Sequence, residues 1–298
     1  MHRPEAEGRR QKAEGRRQKA EGRRQKAEGR RRKEKHTAQH TAQHTAQHTA
    51  QHTAQQKKLI YNLTPTPPPQ SLAALPTYRI VPTGSSCGIL ETIQNALSLD
   101  SLKKRPSYTT LESWFTSHST LSVTRRKDNF VRSLAAYSLI CYFFEVKDRH
   151  NGNILLDMEG NIVHIDFGFI LGIAPGGSWS LETAPFKLTP EMVDVMGGLD
   201  SPLFSEFVTT FCVGFLALRE HESAFTTLVD ITAGGSTFPC FRNRDVRDVV
   251  EKLKARFVKD LTREQTVRHC LELIRRSVNS GGTARYDKFQ WLTNGIMQ

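Results

Sequence analysis

Residues 147–171 read KDRHNGNILLDMEGNIVHIDFGFIL, and this run constrains the fold more tightly than any other part of the chain. Two short aliphatic segments, Ile154–Leu156 and Ile162–Ile165, flank a polar turn that contains Glu159 and Gly160. Aliphatic runs bounded by turn residues predict a β-hairpin. Asp148, His150 and Asn153 crowd the approach to the first strand, and Asp166-Phe167-Gly168 follows the second. Antiparallel strands run in opposite directions, so the start of one lies beside the end of the other. Pairing alone therefore brings hard-oxygen side chains together at one end of the hairpin.

The surroundings are expected to be mostly helical. Order should begin near Tyr78, with YRIV as a strand, GSS as a turn and GIL as a second extended piece. Residues 121–146 predict a helix whose second half is apolar nearly all round, hence buried. From Ser201 the pattern is helical to the end. Ser201 can cap and Pro202 suits the first turn, with Phe204, Phe207, Phe211 and Phe215 at three- and four-residue spacing. Thr262 and Gln265 form a capping box for a helix to about Arg276. In the final run, YDKFQWLTNGIM, Tyr286, Phe289, Leu292 and Ile296 fall on one helical stripe with Trp291 alongside, a pattern expected of packed core. The fold class read from this is α+β, mainly helical, around a small hairpin.

The first 58 residues add nothing to such a core. AEGRRQK recurs with a seven-residue period from Ala6, and HTAQ then recurs from His36. Neither unit carries a large apolar residue, so stacked copies would bury almost no surface. A disordered, basic and His-rich tail is expected at 1–58, and a Pro-rich linker at 59–77. Histidines four apart from His36 could chelate a divalent metal were the tract helical, and the basic clusters could meet an anionic membrane. The tail holds 17 of the 42 Lys and Arg residues and 6 of the 30 Asp and Glu, a net charge of 17 − 6 = +11. The remaining 25 bases face 24 acids, so the sequence pI of about 9.7 belongs to the tail, and no nucleic-acid partner is expected. Five cysteines without a Cys-x-x-Cys pair suit free thiols in a reducing compartment. The most apolar stretch, 134–144, falls short of the roughly 20 residues that span a bilayer, and the N-terminus has no apolar signal core. A soluble, cytoplasmic protein is the expectation.

The chemistry follows from spacing. Asp148 precedes Asn153 by five residues, and Asp166-Phe167-Gly168 comes after the hairpin, the order used by phosphoryl-transfer sites. Charge accumulates on phosphate oxygens in that reaction, so Mg²⁺ is needed and hard oxygen ligands must hold it. Asn153 and Asp166 supply an amide and a carboxylate oxygen. The attacking hydroxyl needs a proton acceptor, and Asp148 or His150 can serve.

The order Asp-Arg-His in DRHNGNILLD…HIDFGFIL resembles the phosphatidylinositol 3-/4-kinase superfamily and not the protein kinases. CGILETIQNALS resembles its adenine-binding hinge, ETAPFKLTPEMVDVMGGLDSPLF its activation loop and following helix, and YDKFQWLTNGIM its C-terminus, in the type III beta class of phosphatidylinositol 4-kinases. The resemblance implies a protein-kinase-like C-lobe with a hinge strand over 78–298, and ATP and Mg²⁺ as cofactors. Leu90, Glu91 and Ile93 would form the hinge, and Leu155 and Ile165 would pack beneath the base. Asn153 and Asp166 would bind Mg²⁺. His150 would be the general base, with Asp148 sharing or orienting the proton. Lys187, the one basic residue of loop 167–190, would face the substrate, and a single lysine suits a headgroup with only its diester phosphate. The implied substrate is phosphatidylinositol in a membrane surface, phosphorylated at the 4-hydroxyl, on Golgi or other intracellular membranes, with the C-terminal helix near the bilayer.

No Val-x-x-Lys strand or Gly-rich loop precedes the hinge in this sequence. The expectation is therefore a hinge plus C-lobe from an incomplete gene model of an active lipid kinase. The alternative is an inactive fragment serving as a membrane- or partner-binding module. A protein kinase is disfavoured by the C-terminal resemblance.

Overall fold

Asp157 builds the turn of the hairpin. Its Oδ1 accepts the N–H groups of Glu159 (3.0 Å) and Asn161 (2.8 Å), and its Oδ2 accepts the Asn161 amide (2.9 Å). Gly160 sits at φ +90°, and a Cβ there would lie 2.3 Å from the backbone oxygen of Arg126, so only glycine lets the turn press on the neighbouring helix. The computed structural model describes residues 75–84, 87–116, 121–177, 181–278 and 280–298, all within the unit Leu63–Gln298. The tail 1–58 and linker residues 59–74 lie outside the described residues.

In chain order the described residues form β1 (Ile80–Pro82), β2 (Gly88–Leu90), β3 (Ala96–Ser98), α1 (Leu99–Lys103), α2 (Leu111–Thr116) and α3 (Val123–Phe143). A short 3₁₀ turn, Asn151–Asn153, leads into β4 (Ile154–Asp157) and β5 (Ile162–His164). Then come α4 (Pro190–Val195), α5 (Pro202–Glu220), α6 (Glu222–Ala233), α7 (Val246–Ala255), α8 (Arg263–Val278) and α9 (Gly281–Asn294). The sheets are both antiparallel: β1–β2, with Val81 opposite Ile89, and β3–β4–β5, with Leu97 opposite Leu156 and Ile154 opposite His164.

The core is helical and aromatic. Ser122 caps α3 by accepting the Arg125 N–H, and the helix ends at Phe143, where Glu145 turns to φ +49°, three residues before the expected Val146. Leu134, Ala135, Tyr137, Leu139, Cys141 and Tyr142 are all buried, so the second half of α3 is enclosed on every side. On α5, Ser201 accepts the Phe204 N–H at 3.0 Å and Pro202 opens the first turn. Phe207, Phe211 and Phe215 are fully buried, and the Phe215 ring lies 4.8 Å from Phe143 between centroids. By length and composition α5 could cross a membrane; its packing against α3 and α8 makes it the core helix instead. Thr262 and Gln265 cap α8 reciprocally, at 2.8 and 3.2 Å.

β5 is fastened to α3. The Ser133 hydroxyl accepts the Ile162 N–H at 2.9 Å, and the His164 ring stacks on Tyr137 at 4.6 Å. The middle of the hairpin is thus fixed to the core, while its open end carries residues 148–153 and 166–168. At the C-terminus the packed-core pattern holds for only part of the stripe. On α9, Phe289 and Leu292 are 47% and 67% exposed, whereas Tyr286 and the polar Gln290 are buried. The inward positions repeat every four residues, and hydrogen bonding, not apolar packing, occupies them. The five cysteines are all free, four of them buried.

Candidate active site

Two aspartates at the open end of the hairpin adopt left-handed backbone conformations, Asp148 at φ +64° and Asp166 at φ +56°. Such conformations are uncommon outside glycine and persist where surrounding bonds over-determine them. Those bonds are present. Arg149 is 1% exposed, and its guanidinium donates to the carbonyls of Lys147 (3.0 Å), Ile165 (2.7 Å) and Asp166. It therefore clamps the loop 147–153 to the residues that follow β5. From the other side the Glu182 carboxylate accepts the N–H groups of Asp148 (2.6 Å) and Arg149 (3.2 Å). Lys147 returns the tie by donating to the carbonyls of Glu182 and Ala184. Burial raises the Glu182 pKa, opposed by Lys147 and by these two N–H groups.

Asn153 and Asp166 lie at the same end of β4–β5, as the strand directions require. The Ile165 N–H donates to the Asn153 carbonyl at 3.1 Å, which extends the β4–β5 ladder to its last rung. The Asn153 side-chain nitrogen donates to the Asp148 carbonyl at 3.1 Å, so its Oδ1 is the amide atom left for another partner. Asp166 is exposed, with Oδ1 accepting the Gly168 N–H at 3.2 Å. Among the described residues no cluster of three His, Cys, Asp or Glu side chains could hold a metal, and an amide plus one carboxylate is a set that suits Mg²⁺ completed by phosphate oxygens.

His150 is fixed by its own loop. The Gly152 N–H donates to Nδ1 at 3.1 Å, so the neutral ring carries its proton on Nε2, which faces Asp148 Oδ1 at 3.8 Å. Burial lowers the His150 pKa, and Asp148 partly restores it. A Cβ on Gly152 would come within 3.0 Å of the ring, so glycine permits this approach.

The hinge residues occupy the other end. Leu90 and Glu91 are exposed and Ile93 is half-buried, as are Leu155 and Ile165. Glu91 is tied into the β1–β2 ladder: its N–H donates to Arg79 O at 2.8 Å, and its carboxylate accepts the Arg79 N–H at 2.9 Å. β3 then pairs with β4, Ala96 opposite Asp157, which puts residues 90–95 toward the turn end of the hairpin. Lys187 stands apart. Its ammonium is buried and pairs with Asp287 of α9 at 2.6 Å, and not with Glu182, the acid nearest it in the loop.

The family model for phosphatidylinositol 3- and 4-kinase matches residues 61–242. The chain belongs to that family. A phosphatidylinositol 4-kinase of Dictyostelium discoideum is 44% identical over 226 residues, covering 74% of this chain and 19% of its own length. The human phosphatidylinositol 4-kinase beta is 41% identical over 223 residues, 74% of this chain and 27% of the relative. The Danio rerio protein of the same name is 42% identical over the same span, 26% of its length. The chain therefore spans about a quarter or less of the curated relatives it matches.

Three residues hold the phosphatidylinositol-kinase motif without a site role legible in the sequence: Arg149, Glu182 and Tyr286. Arg149 lies inside the motif, and its burial could have been suspected from a lone Arg between two site residues. Glu182 and Tyr286 reach the loop from 34 and 138 residues away, and no local pattern marks them.

Proposed function

We propose that residues 78–298 are the hinge and C-lobe of a lipid kinase. It transfers the γ-phosphoryl group of ATP to the 4-hydroxyl of phosphatidylinositol, giving phosphatidylinositol 4-phosphate, on the cytoplasmic face of Golgi or other intracellular membranes. The observation that carries the reading is the convergence of Asn153 and Asp166 at the open end of β4–β5, beside Asp148 and His150. The relatives' names supply the lipid class.

The register gives a scale for the nucleotide. Asp157 to Asn153 is four residues of strand, about 13 Å at the usual rise, comparable with an extended ATP. Adenine at residues 90–93 would lie above Leu155, with Ile165, opposite Asn153, beneath the side of the base nearer the phosphates at the open end. Mg²⁺ fits the donors there: Asn153 Oδ1 and the Asp166 carboxylate would hold it, and when bound it supplies positive charge against the phosphate oxygens. Arg149 keeps those two donors in register by bonding both flanking segments. The proton acceptor is the Asp148–His150 pair. With Nδ1 already engaged by Gly152, the ring presents an N–H, so Asp148 is the open acceptor and His150 its partner. Taking the proton on His150 itself would require the ring to give up Gly152. Lys187 is buried against Asp287 and is not offered to a headgroup, so the substrate class rests on the relatives' names and not on this loop.

The test is transfer of the γ-phosphoryl from labelled ATP to vesicles containing phosphatidylinositol. Label at the 4-position is expected, abolished by Asp166→Asn. Label in protein and not in lipid sinks the reading, and vesicle binding without transfer supports the inactive-module alternative.

A further inference from the structure

Tyr286, Gln290 and Asn294 occupy one face of α9 at four-residue spacing, and they form a chain of hydrogen bonds that ends on the catalytic loop. Asn294 Nδ2 donates to Gln290 Oε1 at 2.6 Å, which fixes how the Gln290 amide is turned. Gln290 Nε2 then donates to the Tyr286 hydroxyl oxygen at 2.7 Å. The Tyr286 O–H donates to Asp148 Oδ1. Tyr286 is 3% exposed and Gln290 6%. Burial, reinforced by the bond to Asp148, raises the phenol pKa far above the ordinary value, so Tyr286 remains a donor at any working pH.

Asp148 has little freedom except in its side chain. Glu182 holds the N–H groups of Asp148 and Arg149, which leaves rotation of the carboxylate as the soft coordinate. Oδ1 receives Tyr286 and faces His150, while Oδ2 has no partner among the described residues. A packing role for α9 would put aliphatic residues at the inward positions. A buried amide there is costly unless its groups are bonded, and both ends of Gln290 are engaged, Nε2 toward the loop through Tyr286 and Oε1 by Asn294.

We propose that Tyr286, backed by Gln290 and Asn294, is a positioning residue for phosphoryl transfer: it turns the Asp148 carboxylate so that Oδ2 faces the acceptor hydroxyl. The inference rests on the kinase reading above and extends it to a helix outside the sequence motif.

The experiment uses the full-length protein with phosphatidylinositol vesicles and ATP–Mg²⁺ at pH 8, and reads ATP hydrolysis by water in parallel. Tyr286→Phe removes one oxygen and leaves the ring. It lowers kcat about 10- to 100-fold, the scale of a misplaced reacting group. KM for ATP and for lipid stays within about two-fold, because neither substrate is touched. Gln290→Glu offers an acceptor where the amide offered a donor. The Tyr286 O–H then turns away from Asp148, and kcat falls to the Tyr286→Phe level with the tyrosine still in place. Gln290→Met leaves the phenol with only Asp148 to bond, and it loses about three-fold. Equal kcat for the two position-290 variants, or wild-type kcat for Tyr286→Phe, overturns the proposal. A wild type that hydrolyses ATP but labels no lipid overturns the lipid reading alone, and the variants are then compared on hydrolysis. A wild type with neither activity overturns both.

Discussion

The two hairpins among the described residues are built from the same residue types and end in opposite surroundings. Ile80, Val81, Ile89 and Leu90 of β1–β2 are 52–64% exposed, whereas Ile154, Leu156, Ile162 and Val163 of β4–β5 are at most 1% exposed. Local sequence does not separate them. The buried hairpin has an Asp157 turn, a Gly160 that lets it touch α3, and a Ser133 hydroxyl that takes its Ile162 N–H. The exposed pair has no such tie to a helix among the described residues. Strand pairing is therefore the common part, and attachment to α3 decides which hairpin becomes the floor of a site. The exposed one presents apolar side chains that suit a ligand or a covering element.

The strongest way to sharpen that comparison is to hollow the buried hairpin. Ile154→Ala removes a fully buried side chain one residue from Asn153. It is expected to lower unfolding stability by about 2–5 kcal/mol, measured by urea titration. A smaller loss comes from the helix side. Ser133→Ala strands the Ile162 N–H in the interior, for a cost of about 1–3 kcal/mol, and it should raise amide exchange at Ile162 before that of other β5 residues.

A third prediction uses pH. His164 lies buried against Tyr137, and burial holds its pKa well below the ordinary histidine value of 6.5. The unfolded chain then takes up the proton first. Stability is intact above about pH 6.5 and declines below it, by about 1.4 kcal/mol per pH unit for this group, until the folded-state pKa is reached. His164→Phe keeps a ring on Tyr137 and removes the titration, so the difference between urea midpoints at pH 7.5 and 5.5 should shrink. His150 and His269, lowered mainly by burial as well, leave a residual slope of the same sign. An unchanged pH dependence in the variant would show that His164 is hydrated in solution.

Much of this was legible in advance, and the division is physical. The β4–β5 hairpin and the caps at Ser201 and Thr262 depend on neighbours in sequence, and the structure has them where the sequence pattern puts them. β3 was not anticipated, because Ala96-Leu97-Ser98 has no alternation of its own and becomes a strand only by pairing with β4. The apolar stripe of α9 divides in the structure: Tyr286 turns inward with the polar Gln290, a pairing apolar periodicity cannot show, while Phe289, Trp291 and Leu292 stay exposed. The resemblance puts Lys187 toward the substrate, whereas its placement is set by Asp287, 100 residues away, which no local pattern announces. Glu182 holds the backbone of loop 147–153, a use of a carboxylate that leaves no pattern in the chain.

The smallest expected effect bears on the exposed hairpin. Ile89 stands opposite Val81 and is 64% exposed. Removing side-chain atoms that water already reaches changes transfer free energy little, so Ile89→Ala should alter stability by about 0.5 kcal/mol or less. The same substitution should matter more once a nucleotide or a covering element is present. If adenine sits on residues 90–93, truncating the neighbouring strand weakens ATP binding while the apo melting temperature stays put. A melting-temperature loss as large as that of Ile154→Ala, with no nucleotide added, would mean that β1–β2 is already covered in solution. The two hairpins would then share one kind of surroundings, and the contrast between an attached floor and an open edge would have to be abandoned.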